Sequence, residues 1–426
     1  MKYQSTSEER VSLSLTIYQS GFGMVKEVRQ IATKDEISEI YFKDIAKGIA
    51  VDSVLVKGLN MLEQDYIHNS ISKTKLLENY IGREVTVRNH DTGKDIQIIL
   101  ISSVDGLIGE RQDTKEVIID PEGELIVPSI PKSLSAKPVL FWKVVPGKTD
   151  EHIKVSYITQ GIEWRVNYIM EIEGTALQLT GWMEIRNDTG TDFSDAAVKL
   201  MAREVYRQTR ANDFSLEPRM YENSAKHPQV EEYDFRDQPA YKLERSVTLL
   251  DGQTKQIPFL EAHVASFRTV YEVDKWSEQA RVKLEFANKK TNGLGMPLLK
   301  GTVKLYELDA DKELEFIGED AIAPLAVEEV GSIRIGEAFD ITCKSNEKKR
   351  WKKEGVEYVT HSYALTNRKE ENARIHINHF MNEPVWEMES SSHDYEIKNT
   401  GHIMFVVRAA GKKEVPVEFT YRVDRE

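Results

Sequence analysis

Residues 150–201 constrain this chain more than any other stretch. Trp164, Val166, Tyr168, Met170 and Ile172 alternate with Arg165, Asn167, Glu171 and Glu173, and only Ile169 breaks the pattern. Successive side chains of a strand point to opposite faces, so the run reads as a strand with one face buried and one wet. Glu173-Gly174-Thr175 turns it into a second alternating run, Leu177, Leu179, Met183 and Ile185. Asn187-Asp188-Thr189-Gly190 then directs the chain toward a third. Consecutive strands that each bury one face close into a sandwich. The same alternation recurs at Val11, Leu13, Leu15 and Ile17, and again at Val415, Val417, Phe419, Tyr421 and Val423. The predicted class is all-β: tandem antiparallel β-sandwich domains with a small β-barrel insertion and one short helix.

Composition narrows the function classes. A net charge of −13 over 426 residues opposes general binding to a phosphate backbone, which needs clustered Lys and Arg. The single cysteine, Cys343, excludes an intramolecular disulfide framework and a cysteine-rich zinc site, and reads as a small apolar filler at a strand end. The N-terminal MKYQSTSEERVSLSL lacks the apolar core of a secretory signal. No run approaches the roughly 18 apolar residues of a membrane helix. The expectation is a cytoplasmic chain with no cofactor and no membrane insertion.

Four regions follow. Residues 1–68 with 135–202 form an N-terminal and central β-sandwich. Residues 69–134 form an insert. There Ser70 or Ser72 caps a helix with Leu76, Leu77 and Tyr80 on its apolar side and Gly82 at its end. Short strands with turns at Asp105-Gly106 and Pro121-Glu122-Gly123 then make the barrel. Residues 203–245 read as a long polar loop, and 246–426 as a C-terminal sandwich region. The basic run KSNEKKRWKK at 344–353 is expected to be a charged hairpin loop in solvent.

Motifs for chemistry are few. Gly21-Phe22-Gly23 lacks the third glycine and the helix of a nucleotide loop, and the Asp309, Asp311, Glu313 series lacks the glycine of a calcium loop. His376, His379 and His393 are the candidates for a metal or catalytic site. On a strand, however, His376 and His379 point to opposite faces. The candidate interaction residues are aromatic: Tyr221, Tyr233, Phe235 and Tyr241 in the polar segment, and Trp182 beside Glu184 and Arg186 on the polar face of its strand.

Several phrases carry a resemblance. MLEQDYI, KLLENYIGREVTV, VSYITQGIEWRVNYIMEI and LTGWMEIRNDTG resemble the bacterial family related to mucoidy inhibitor A. GTVKLYELDADKELEFIGEDAI, IGEAFDITC, YALTNRKEENARIHI and VWEMESSSHDYEIKNTGHIMFVV resemble its C-terminal domain of unknown function. The likeness spans about residues 11–424 and implies no catalytic residues. The expected function is a non-catalytic, envelope-related binding or scaffolding module whose partner is another protein and not nucleic acid. The rivals are a hydrolase or metal-dependent enzyme using the three histidines, and a glycan-binding module using exposed aromatics.

Overall fold

The alternating runs become strands wherever one face finds a core. The computed structural model describes residues 1–31, 36–68, 72–89, 93–104, 106–131, 137–147, 151–202, 230–234, 239–383 and 385–423. The architecture is all-β and sandwich-like, and the one α-helix among these residues is Lys73–Glu78. Trp164, Val166, Tyr168, Met170 and Ile172 are all buried on one face of the strand Ile162–Glu173. By contact the chain divides into two compact units: Met1–Trp164 with Ile185–Arg207 and Arg245–Lys255, and Arg165–Glu184 with Gln208–Glu244 and Gln256–Glu426.

In the first unit, Val247–Leu249, Phe193–Met201, Arg10–Tyr18, Phe22–Gln30 and His152–Gln160 lie side by side in that order. The pairings run antiparallel, parallel, antiparallel, antiparallel. Beneath them sits an ion triad: Glu27 accepts from Arg10 Nε at 2.9 Å and from Arg29 Nε at 3.1 Å, with both Glu27 and Arg29 buried.

The 69–134 insert hangs from one hairpin. Ile67 and Val139 are register partners on the strands Met61–Ile67 and Val139–Gly147, so the insert leaves and re-enters at adjacent points. Ser72 Oγ accepts from Lys75 N at 3.2 Å and caps the helix. Leu77 and Tyr80 pack with Val85, Val87, Ile98 and Leu100 in a core of their own. The sheet is ordered Val117–Ile119, Ile108–Arg111, Asp95–Ser102, Glu84–Arg88, Glu124–Ile126, and the expected barrel does not close. Its end strands are three residues each, too short to bring a ladder around to the other edge.

The second unit repeats the strand plan of the first. His402–Ala409, Ala373–Phe380, Arg268–Asp274, Gln279–Ala287 and Val330–Lys353 lie side by side, again antiparallel, parallel, antiparallel, antiparallel. Val330–Lys353 is 24 residues long and, among the described residues, lies inside one nine-stranded sheet. Its first part pairs with Gln279–Ala287 and its second with Val356–Asn367, which pairs in turn with Lys413–Val423. The basic run 344–353 is therefore strand, not the expected solvent loop. Its charges are answered across the ladder, where Arg350 meets Glu357 at 3.2 Å and Lys348 meets Glu418.

Candidate functional site

The aromatics singled out from sequence do not share a site. Trp182 is half-buried in Ala176–Asn187, and Tyr241 is buried in Pro239–Leu243. Tyr233 lies on Val230–Asp234, which pairs with the Tyr241 strand, while Tyr221 and Phe235 lie outside the described residues. Within the expected 203–245 loop, the described residues are those two strands with Glu244 and Arg245.

The histidines separate too. His376 and His379 lie on opposite faces of Ala373–Phe380, and His393 stands apart, its Nδ1 2.9 Å from Ser392 Oγ. Arg374 Nε donates to His376 Nε2 at 3.2 Å. Among the described residues, no group of three or more His, Cys, Asp and Glu side chains gathers as it would around a metal ion.

His379 instead belongs to a cluster that sequence reading missed. Its Nδ1 is hydrogen-bonded to Tyr363 OH at 2.7 Å, and its ring lies 4.7 Å from that of His361 and 4.9 Å from that of Phe419. His361 Nε2 is hydrogen-bonded to Ser345 Oγ at 2.8 Å. Burial, followed by the neighbouring His361, pushes His379 down from its ordinary 6.5 to about 3. Burial likewise lowers His361, and it raises Cys343, in the same core, to about 12, with Asp274 adding to the rise. Charged forms are disfavoured in such a place, so these groups stay neutral.

Ser345 and His361 have the distance of a nucleophile and its base. Glu347, the register partner of His361, is taken up by Arg350, which donates to both of its oxygens at 2.9 Å. No motif links positions 345, 361, 363 and 379. The pairing of Val330–Lys353 with Val356–Asn367 brings Ser345, His361 and Tyr363 together, and His379 meets them from Ala373–Phe380 through its bond to Tyr363.

A second constellation is open to solvent. Phe380 and His402 are cross-strand partners, and their rings stack at 4.6 Å. Trp276 stacks on Phe380 at 6.1 Å and is 69% exposed. The parallel register places Asp274 opposite Asn378 and so carries Trp276, two residues further on, beside the end of the histidine strand. Lys275 Nζ donates to Asn382 Oδ1 at 2.7 Å and lies 4.6 Å from the centre of the indole. Trp276 also forms a wall of an open cleft of 720 Å³ with Asp274, Ser277, Glu278, Gln279, Arg281, Arg334 and Glu337. Trp276 is the one aromatic ring in this otherwise polar lining.

No protein-family profile matches the chain, and no curated protein matches it. Among the described residues, no helix is long and apolar enough to cross a membrane.

Proposed function

We propose that this chain is a binding module and not a catalyst. The observation that supports the reading is the separation of its two kinds of candidate residue. The groups able to do chemistry, His361, His379, Tyr363 and Cys343, are packed into the C-terminal core. The groups able to recognise a partner, Trp276, Phe380 and the cleft residues, face solvent. Membership of the mucoidy-inhibitor-A-related family belongs to the same proposal and rests on the sequence phrases.

One observation favours a second reading. The 2.8 Å contact between Ser345 and the neutral His361 is what a hydrolase would use to activate its serine. Ester, phosphate, peptide and glycoside substrates, offered to the parent and to Ser345→Ala, separate the two. A binding module turns over none of them. Turnover by the parent that Ser345→Ala abolishes without lowering the melting temperature overturns the proposal in favour of hydrolysis.

A further inference from the structure

We propose that the cleft beside Trp276 binds a neutral oligosaccharide, an inference that rests on the binding-module reading and names its ligand class. An indole exposed to 69% leaves a large apolar face in water, and such faces on soluble proteins mark contact sites. The indole does not stand alone. Phe380 and His402 continue the stack behind it, and their cross-strand register fixes its position. Phe339, 81% exposed, stands in a bulge of the strand that carries Arg334 and Glu337. Gln279 pairs with Thr342 and the next residue, Ala280, with Ala338, so the chain between them is looped out.

Charge decides the ligand class. Arg281 is paired with Asp274 at 2.8 Å, and Arg334 with Glu337 at 3.6 Å. With Glu278 and the Lys275 ammonium beside the indole added, three carboxylates face three cationic groups, so an anion finds no surplus of positive charge to receive it. A cationic ligand meets the opposite difficulty. The Lys275 ammonium already stands 4.6 Å from the indole centre, where it repels a second positive charge. What remains is an uncharged ligand with an apolar face for the indole and many hydroxyls. Planar carboxylate, guanidinium and amide groups each present paired acceptors or donors at fixed spacing, which suits adjacent hydroxyls on a ring. A sugar ring combines both surfaces, its C–H face lying on the aromatic and its hydroxyls reaching the cleft wall. A volume of 720 Å³ leaves room for more than one ring.

The test is titration calorimetry of the full chain with neutral hexasaccharides of α-linked glucose, β-linked glucose and β-linked N-acetylglucosamine. Inorganic phosphate and tetramethylammonium serve as the charged probes. The expected result is binding of at least one hexasaccharide at about millimolar Kd or tighter. Trp276→Ala should weaken it at least about tenfold with an unchanged melting temperature, the loss expected for one stacked ring. Gln279→Ala should weaken it too, and neither charged probe should bind. The sugar assignment is overturned by silence with all three hexasaccharides, by affinity that survives Trp276→Ala, or by preference for a charged probe. Such a failure leaves the substrate turnover comparison to judge the broader reading by itself.

Discussion

Asn187 and Asn367 make the same hydrogen bonds at the same point of two repeated strand sets. Each donates Nδ2 to the carbonyl four residues ahead, Thr191 O at 3.0 Å and Glu371 O at 2.9 Å. Each also donates to the end of the strand that pairs with the next strand along the chain, Leu249 O at 3.0 Å beside Phe193–Met201 and Ala409 O at 3.1 Å beside Ala373–Phe380. Each accepts through Oδ1 from the backbone two residues on, Thr189 N and Lys369 N. The following backbone N–H donates to Gly161 O in one set and to Asp340 O in the other. Gly161 has φ +83°, a conformation that suits glycine, whereas the second set passes the same point in one continuous strand. The amide side chain thus closes a corner whose carbonyls no ladder reaches.

Asn187→Ala and Asn367→Ala should each destabilise the chain, by about 1–3 kcal/mol for each buried carbonyl left unpaired. The two losses should be similar because the bonds are the same. Denaturant melts of both variants measure this. A change within about 0.5 kcal/mol in either would place the corner's stability elsewhere.

The His379 cluster should set the acid limb of stability. Its folded value of about 3 lies below the ordinary 6.5, so the unfolded chain takes up the proton first as pH falls. Stability from this group is therefore complete above roughly pH 6.5 and is lost toward pH 3, at about 1.4 kcal/mol per pH unit. His361 is shifted in the same direction and adds to the loss. The His379→Gln variant, melted across that range, should show a shallower acid limb than the parent. Parallel limbs would mean that His379 titrates alike in both states.

Replacing residues 69–134 with a short Gly/Ser linker should leave a cooperative melt within several degrees of the parent. Ile67 and Val139 are already register partners, so the linker spans only a hairpin end. The insert also takes its own core with it. Loop closure depends on length only logarithmically. A molten or aggregated product, seen by circular dichroism, would show that the insert supports the rest.

Much of the fold is legible because half-buried strands write a period of two into the sequence. Trp164 to Ile172 and Val417 to Val423 lie buried as that alternation requires, with Val415 partly buried against the same core, and Ser72 caps the helix as expected. Residues 344–353 were illegible for a physical reason. Their Lys and Arg partners, Glu357 and Glu418, lie on other strands, so the run looks like an unpaired charged loop until register is known. The repeat is hidden in the same way. It is carried by pairing order and two asparagines, and Asp195, at φ 50°, shifts the spacing in one copy only. The Trp276, Phe380 and His402 stack is the extreme case, since Phe380 and His402 meet through the antiparallel pairing of their strands and Trp276 reaches them through the parallel pairing of Arg268–Asp274 with Ala373–Phe380.

The most direct test of the account is a hydrogen-exchange comparison of the free chain with the chain recovered from native extract with its bound material. If the module binds through the open aromatic face, protection should rise over residues 274–282, 378–382 and 400–404. Segments 343–347 and 359–363, which hold Ser345 and His361, should exchange as in the free chain. Protection confined to those two segments, with 274–282 unchanged, would contradict the account and direct attention to the serine and histidine pair.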